Sequence, residues 1–242
     1  MLCNLPKTVV VIPCFNEERR LHVDKFKKFA DANPDIGLMF VNDGSSDATS
    51  QILKTLCDNE NLFYLELPAN MGKAEAVRQG MLAALEKKPD MIGFWDADLA
   101  TPLEQITDFI SVMAKQPELL MVTGCRLMRL GTYVQRSHIR HYLGRIFATI
   151  ISNHLKIPVY DTQCGAKLMR AEAAIAVIQK PFYSKWFFDV EIFKRLIFKY
   201  GRETIIKSVL EFPLPQWLET PGSKLKLTSA CRQLLIVLFA KP

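Results

Sequence analysis

Residues 8–17 read Thr8-Val9-Val10-Val11-Ile12-Pro13-Cys14-Phe15-Asn16-Glu17. A β-branched run is closed by Pro13, with no polar residue alternating through it. That is the pattern of a strand buried on both faces, as in a parallel sheet. Outward from it, the same unit recurs. Residues 17–32 have helical spacing, with Leu21, Phe26 and Phe29 facing inward. Residues 38–41 form a second apolar run. Ser45, Ser46 and Asp47 then offer N-caps for a helix reaching about Cys57. Strands are predicted over 62–67, 91–95 and 119–123. Helices are predicted over 73–88 and from Thr101-Pro102 onward. Strand and helix in alternation predict an α/β fold: a mostly parallel central sheet with helices on both faces. Ligands in such sheets bind at the carboxyl ends of the strands.

The second half is less regular. Residues 126–156 carry Arg126, Arg129, Arg136, Arg140, Arg145 and Lys156 and no acid. Within that stretch, Tyr142, Leu143, Ile146, Phe147, Ile150 and Ile151 recur at helical spacing. A helix is predicted over 187–200, a strand over 204–210 and a terminal helix over 225–240. The 242 residues suit a single domain. Its expected halves are 1–125 and 126–242.

Apolar residues make up 49% and charged residues 23%, which excludes disordered and collagen-like classes. A chain of this length buries a core without disulfide or metal staples. The 31 basic and 25 acidic residues leave a net charge of +6. That excess suits a phosphate ligand or a membrane surface and requires no nucleic acid. The longest apolar run, residues 234–240, is far short of the roughly 20 residues that span a bilayer. Met1 leads quickly to Pro6, Lys7 and a strand, so neither a span nor a signal peptide is expected. The six cysteines have no C-x-x-C spacing, which predicts buried thiols in a reducing cytosol. The four histidines form no H-x-x-x-H pair and are expected on surfaces rather than on a metal.

Two acidic clusters follow strand ends: residues 42–47 (Asn-Asp-Gly-Ser-Ser-Asp) and Asp96-Ala97-Asp98. Alternate residues of an extended segment point the same way, so Asp96 and Asp98 can converge on one site. A hard cation, Mg²⁺ or Mn²⁺, takes carboxylate oxygens and keeps positions for water and phosphate. Asp43 can hydrogen-bond a ribose or base. Equally, Asp43 can be a turn former and Asp47 a cap.

The order of these motifs is specific. Residues 11–17 come first, then 41–47, then Asn70-Met71-Gly72-Lys73, then Asp96-Ala97-Asp98. Each lies just past a predicted strand. This order resembles the family 2 glycosyltransferases, whose nucleotide-sugar-binding fold is called GT-A. The likeness covers about residues 8–225. Further stretches are Gly124-Cys125-Arg126, residues 136–140, 161–167, 186–191 and 217–224. These resemble the dolichyl-phosphate glucosyltransferase branch and its bacterial relatives acting on polyprenyl phosphates. The mannosyl branch usually carries Gln two residues past the second Asp of D-x-D. Ala100 stands there instead, which weakens a reading with GDP-mannose.

The resemblance makes residues 1–125 the donor half and 126–242 the acceptor half, and it implies roles for individual residues. Pro13, Phe15 and Glu17 would line the nucleotide pocket, and Asp43 would bind uridine or its ribose. Lys73 would lie near the nucleotide, Asp96 would face the sugar-phosphate and Asp98 would hold the metal, with Asp96 as a second metal candidate. Arg126, Arg136, Arg140, Lys167 and Lys224 are candidates for the acceptor phosphate and the donor diphosphate. Arg suits phosphate because its planar fork binds two oxygens at once.

The expected reaction is inverting transfer of a hexose, glucose from UDP-glucose, to a polyprenyl or dolichyl phosphate. An ionised phosphate needs no strong base to attack the anomeric carbon. A glycan or protein hydroxyl acceptor is the alternative, and it needs one. Asp161 would then orient the acceptor and Asp189 would serve as base, unless Asp189 only braces its helix. The expected location is cytoplasmic, peripheral at the cytoplasmic face of a membrane. The apolar segments 142–155 and 225–240, with their basic flanks, are candidates for that contact or for core.

Overall fold

The computed structural model describes residues 6–135, 138–219 and 227–240. The first half alternates as the sequence predicts: β1 (Thr8–Cys14), α1 (Val23–Ala32), β2 (Ile36–Asn42), α2 (Thr49–Leu56), β3 (Leu62–Glu66), α3 (Lys73–Leu85), β4 (Met91–Trp95), α4 (Gln105–Lys115) and β5 (Met121–Cys125). The second half adds β6 (Tyr133–Gln135), α5 (His138–Leu155), β7 (Ala166–Arg170), α6 (Ala171–Ile178), α7 (Phe188–Tyr200), α8 (Arg202–Ser208), β8 (Val209–Pro213), β9 (Gln216–Leu218) and α9 (Leu227–Phe239).

The main sheet has the order β3-β2-β1-β4-β7-β5-β8. Its pairings are parallel except those of β7, which runs antiparallel to both β4 and β5. β6 and β9 form a small parallel pair beside it. The apolar run of β1 is explained by its two covered faces. Val9 and Val11 join one core with α3, α6 and α7, while Val10 and Ile12 join the other with α1, α2 and α4. Successive side chains on a strand point to opposite faces, so a strand buried on both sides must be apolar throughout.

Three expectations change. The helix expected from Glu17 begins at Val23, because residues 17–21 turn back, with the Arg20 and Leu21 amides both on the Glu17 carbonyl. The strand expected over 204–210 is helix α8 as far as Ser208, and β8 follows. Thr204, Ile205 and Ile206 favour strand locally, but burial of Ile205 and Ser208, three apart, sets a helical face there. β7 was not anticipated; it threads a fully buried lysine, Lys167, between β4 and β5. Cys14, Cys57, Cys125 and Cys164 are free thiols, and all except the half-buried Cys57 are buried.

β1 lies between β2 and β4. The chain leaves β1 toward one edge of the sheet and returns to its other side through β4. The carboxyl ends of these strands therefore flank a crevice where the winding reverses.

Candidate active site

A cavity of about 440 Å³ opens at that crevice. Its wall includes Pro13 near the end of β1 and Phe15 just past it, Asp43 past β2, Lys73 at the start of α3, and Asp96 and Asp98 past β4. Glu17 and Arg20 close one side as an ion pair of 2.6 Å. The loop after β1 is tied to the loop after β2. The Asn16 amide donates to Ser45 Oγ at 3.0 Å, and the Glu17 amide to Thr49 Oγ1 at 2.8 Å.

Asp43 is buried, and both its oxygens accept backbone amides, from Met71 at 2.7 Å and Gly72 at 2.9 Å. It thus fastens the 70–72 loop to the end of β2. Burial raises the Asp43 carboxyl above its ordinary range, although those two amides oppose the rise. The turn-forming role is visible in these bonds. The role toward a ribose or base is compatible with them, since a carboxylate has about four lone-pair sites.

Lys73 pairs with Asp96 at 2.5 Å. Burial works against the Lys73 charge, but Asp96, Asp189 and Asp98 outweigh it and hold the ammonium above the usual lysine range. The Asp96 amide donates to the Gly165 carbonyl at 3.0 Å. A Cβ on Gly165 would lie 1.9 Å from Asp96 Oδ2, so the carboxylate rests directly on that backbone. The Ala100 amide donates to Asp98 Oδ1 at 3.0 Å and turns the chain back after the acidic pair.

The donor set suits a hard divalent cation. Asp96 and Asp98 bring carboxylate oxygens to the same wall, and among the described residues no third His, Cys, Asp or Glu completes a cage. An incomplete carboxylate set that leaves room for phosphate oxygens and water is what Mg²⁺-type ions take at nucleotide sites.

A second group of charges lies beyond the cavity. Arg126 grips Asp161 with two bonds, Nε to Oδ2 at 2.7 Å and Nη2 to Oδ1 at 2.8 Å, and its own amide adds a third at 3.1 Å. The guanidinium stands over the Trp217 ring at 5.3 Å. Glu211 clamps the same loop, accepting the Tyr160 amide at 2.7 Å and the Asp161 amide at 2.6 Å. Burial disfavours the Asp161 charge, but Arg126 and its amide hold the carboxyl well below the ordinary range. Lys167 is enclosed, donating to the Thr162 and Cys164 carbonyls and to Asp189 at 2.6 Å. Burial raises the Asp189 carboxyl, with Lys167 opposing the rise.

The family model for glycosyl transferase family 2 matches residues 9–178. This chain belongs to that family. It is 30% identical to a dolichyl-phosphate beta-glucosyltransferase of Trichomonas vaginalis, over 90% of this chain and 68% of that one. The enzyme of the same name from Mus musculus is 30% identical over 89% of this chain and 68% of its own length. The one from Saccharomyces cerevisiae is 28% identical over 90% of this chain and 69% of its own. The chain thus spans about two thirds of these relatives. Among solved structures, glucosyl-3-phosphoglycerate synthase from Mycobacterium tuberculosis with Mn²⁺ and UDP-glucose aligns at a TM-score of 0.71. It is 17% identical and covers 96% of this chain and 78% of that one, which establishes the shared GT-A fold.

In this family 2 transferase the first-half candidates gather as expected. Pro13, Phe15, Glu17, Asp43, Lys73, Asp96 and Asp98 all line one cavity. The second-half candidates divide. Arg126, Asp161, Lys167 and Asp189 pair with one another beside the cavity and do not line it. Arg126 and Lys167, both candidates for a phosphate, each already pair with a carboxylate, Asp161 and Asp189 respectively. Arg140 falls in α5, with its side chain outside the described set, and Arg136 and Lys224 lie outside the described residues. Sequence reasoning missed Arg20, Lys185 and Glu211 as parts of this region. The E-x-x-R spacing of Glu17 and Arg20 carried a usable signal. The other two come from remote parts of the chain, the loop before α7 and strand β8, with no local pattern to mark them.

Proposed function

We propose that this family 2 transferase moves glucose from UDP-glucose to a polyprenyl or dolichyl phosphate, inverting the anomeric centre. The observation that carries the reading is the convergence of Asp43, Lys73, Asp96 and Asp98 in one cavity at the sheet's reversal. The names of relatives covering about nine tenths of this chain supply the sugar and the acceptor.

Pro13, Phe15, Glu17 and Asp43 form the part of the wall suited to a nucleoside. Asp98, with Asp96, would hold Mg²⁺ or Mn²⁺; the bound ion would supply positive charge against a diphosphate leaving group. Lys73 holds Asp96 in place and adds its own charge beside the diphosphate. The ionised acceptor phosphate attacks the anomeric carbon from the face opposite the diphosphate, so an α-linked donor yields a β-linked product. No base is required for that step. This leaves Asp161 and Asp189 as carboxylates that orient Arg126 and Lys167 along the acceptor side, where Arg136, Arg140 and Lys224 are also proposed to act. A cytoplasmic membrane face is the proposed place of action, reached by peripheral contact.

The test is incubation with labelled UDP-glucose, Mn²⁺ or Mg²⁺ and a short polyprenyl phosphate. A lipid-soluble, acid-labile product is expected, and its absence with several nucleotide-sugars would sink the reading. Asp98→Ala should abolish turnover without unfolding the protein; full activity would remove Asp98 from the metal site.

A further inference from the structure

The cavity wall carries Arg20, Lys73 and Lys185 as cations. Arg20 is neutralised by Glu17 and Lys73 by Asp96. Lys185 makes no ion pair among the described residues. Its stem lies across Gly72, where an added Cβ would come within 3.1 Å of Lys185 Cδ, and its charge reaches Asp43. Among the described residues the wall thus has one cation, Lys185, without an ion-pair partner, beside two that are paired.

The loop presenting Lys185 is heavily fastened. Buried Glu191 accepts the Tyr183 amide at 3.0 Å and the Ser184 amide at 2.8 Å. Arg195 ties Glu191 to the Lys180 and Pro181 carbonyls. Ser184 Oγ accepts the Trp186 and Phe187 amides and donates to Gln233 Oε1 of α9 at 2.8 Å. Lys194 of α7 in turn holds α9 by its last carbonyls. A segment this constrained fixes the backbone beneath one exposed lysine, so binding has only the lysine side chain left to order.

We propose that Lys185 binds a phosphoryl group in the donor cavity, and that Gln233 positions it by holding the 183–187 loop through Ser184. The ligand class is a phosphate ester, either the diphosphate of the nucleotide-sugar or the phosphate of the acceptor. The inference rests on the donor-cavity reading above. A lysine bonding phosphate as a charge-assisted donor is worth about tenfold or more in affinity.

The experiment titrates UDP with Mn²⁺ calorimetrically into wild type, Lys185→Met, Lys185→Arg, Gln233→Leu and the Lys185→Met/Gln233→Leu double variant. The KM for a short polyprenyl phosphate is measured on the same proteins. A roughly tenfold weaker UDP affinity in Lys185→Met, largely restored in Lys185→Arg, supports the proposal and assigns the donor diphosphate. An unchanged UDP affinity with a roughly tenfold higher acceptor KM supports it and assigns the acceptor phosphate. Gln233→Leu should shift the same parameter in the same direction by a smaller factor, and the double variant should be no worse than Lys185→Met. Additive losses would overturn the positioning role, since a merely structural change acts independently of Lys185. Wild-type levels of both parameters in Lys185→Met would overturn the proposal alone, whereas failure of wild type to bind UDP would overturn the donor-cavity reading.

Discussion

Gly165 decides where Asp96 can sit. Any side chain there meets the Asp96 carboxylate, with Cβ 1.9 Å from Oδ2. Gly165→Ala should therefore push Asp96 out of the wall and away from Lys73. A displacement of about 1 Å in a reacting constellation can cost on the order of 100-fold in rate. Initial rates should fall by about that factor while the melting temperature changes little; an unchanged rate would show that Asp96 has no exacting position. Asp161 gives a second prediction at this scale. Its folded pKa lies below the unfolded value of about 3.9, because Arg126 and the backbone outweigh burial. Its stabilisation is then complete above about pH 4 and is lost as pH falls through the folded value. Asp161→Asn leaves Arg126 buried without its partner, at a cost of about 3–5 kcal/mol. In urea unfolding, the gap between wild type and variant should be flat from about pH 7 to about pH 5 and should narrow below about pH 4. A gap that widens with acid would contradict the assignment.

Helix α3 shows how an element is fitted to the sheet. Gly80 faces β1 and β2, and a Cβ there would lie 2.4 Å from Val11 Cγ1 and 2.6 Å from Val41 Cγ2. Helix propensity alone favours Ala over Gly by about 1 kcal/mol. Overpacking against stiff β-branched neighbours costs about 1–3 kcal/mol. The second effect wins, so Gly80→Ala should destabilise the protein by up to about 2 kcal/mol in urea unfolding. A stabilised variant would mean that α3 stands off the sheet. The elements also show what could be read in advance. β1, β2 and β4 were legible because both faces are covered, and their runs carry no polar residue to blur the pattern. With them came the strand-end carboxylates and hence the cavity. β7 was not legible, because Lys167 interrupts its apolar pattern and is satisfied by loop carbonyls and by Asp189, 22 residues away. α8 was misread because Thr204, Ile205 and Ile206 speak for a strand, and only packing of Ile205 into the core decides otherwise. Lys185 escaped for the same reason as β7: its meaning depends on which distant residues already hold partners.

At the scale of the whole molecule, the proposed acceptor lives in a bilayer, yet no described helix is long and apolar enough to cross one. α5 offers another kind of contact. Ile151 and Leu155 are buried in the core, so one face of the helix is spoken for. On the other side Tyr142, Ile146 and Ile150 are 66%, 56% and 42% exposed. They are four residues apart and form a single stripe. The surrounding segment, residues 126–156, carries six bases and no acid. An apolar stripe within a basic field suits the surface of an anionic membrane, where burial and charge attraction add. Fully burying one isoleucine is worth about 1.5–3 kcal/mol, so losing two in an interface should cost at least about tenfold in vesicle affinity. Ile146→Glu with Ile150→Glu tests this without touching the core, because both side chains already face outward. The double variant should sediment poorly with vesicles of mixed phosphatidylserine and phosphatidylcholine, and its melting temperature should match wild type. Its rate on a water-soluble short-chain acceptor should stay near normal, while its rate on long-chain acceptor in vesicles falls. Undiminished vesicle binding in that variant would take α5 out of the membrane contact and turn attention to α9, where Leu235, Ile236 and Phe239 are exposed apolar residues.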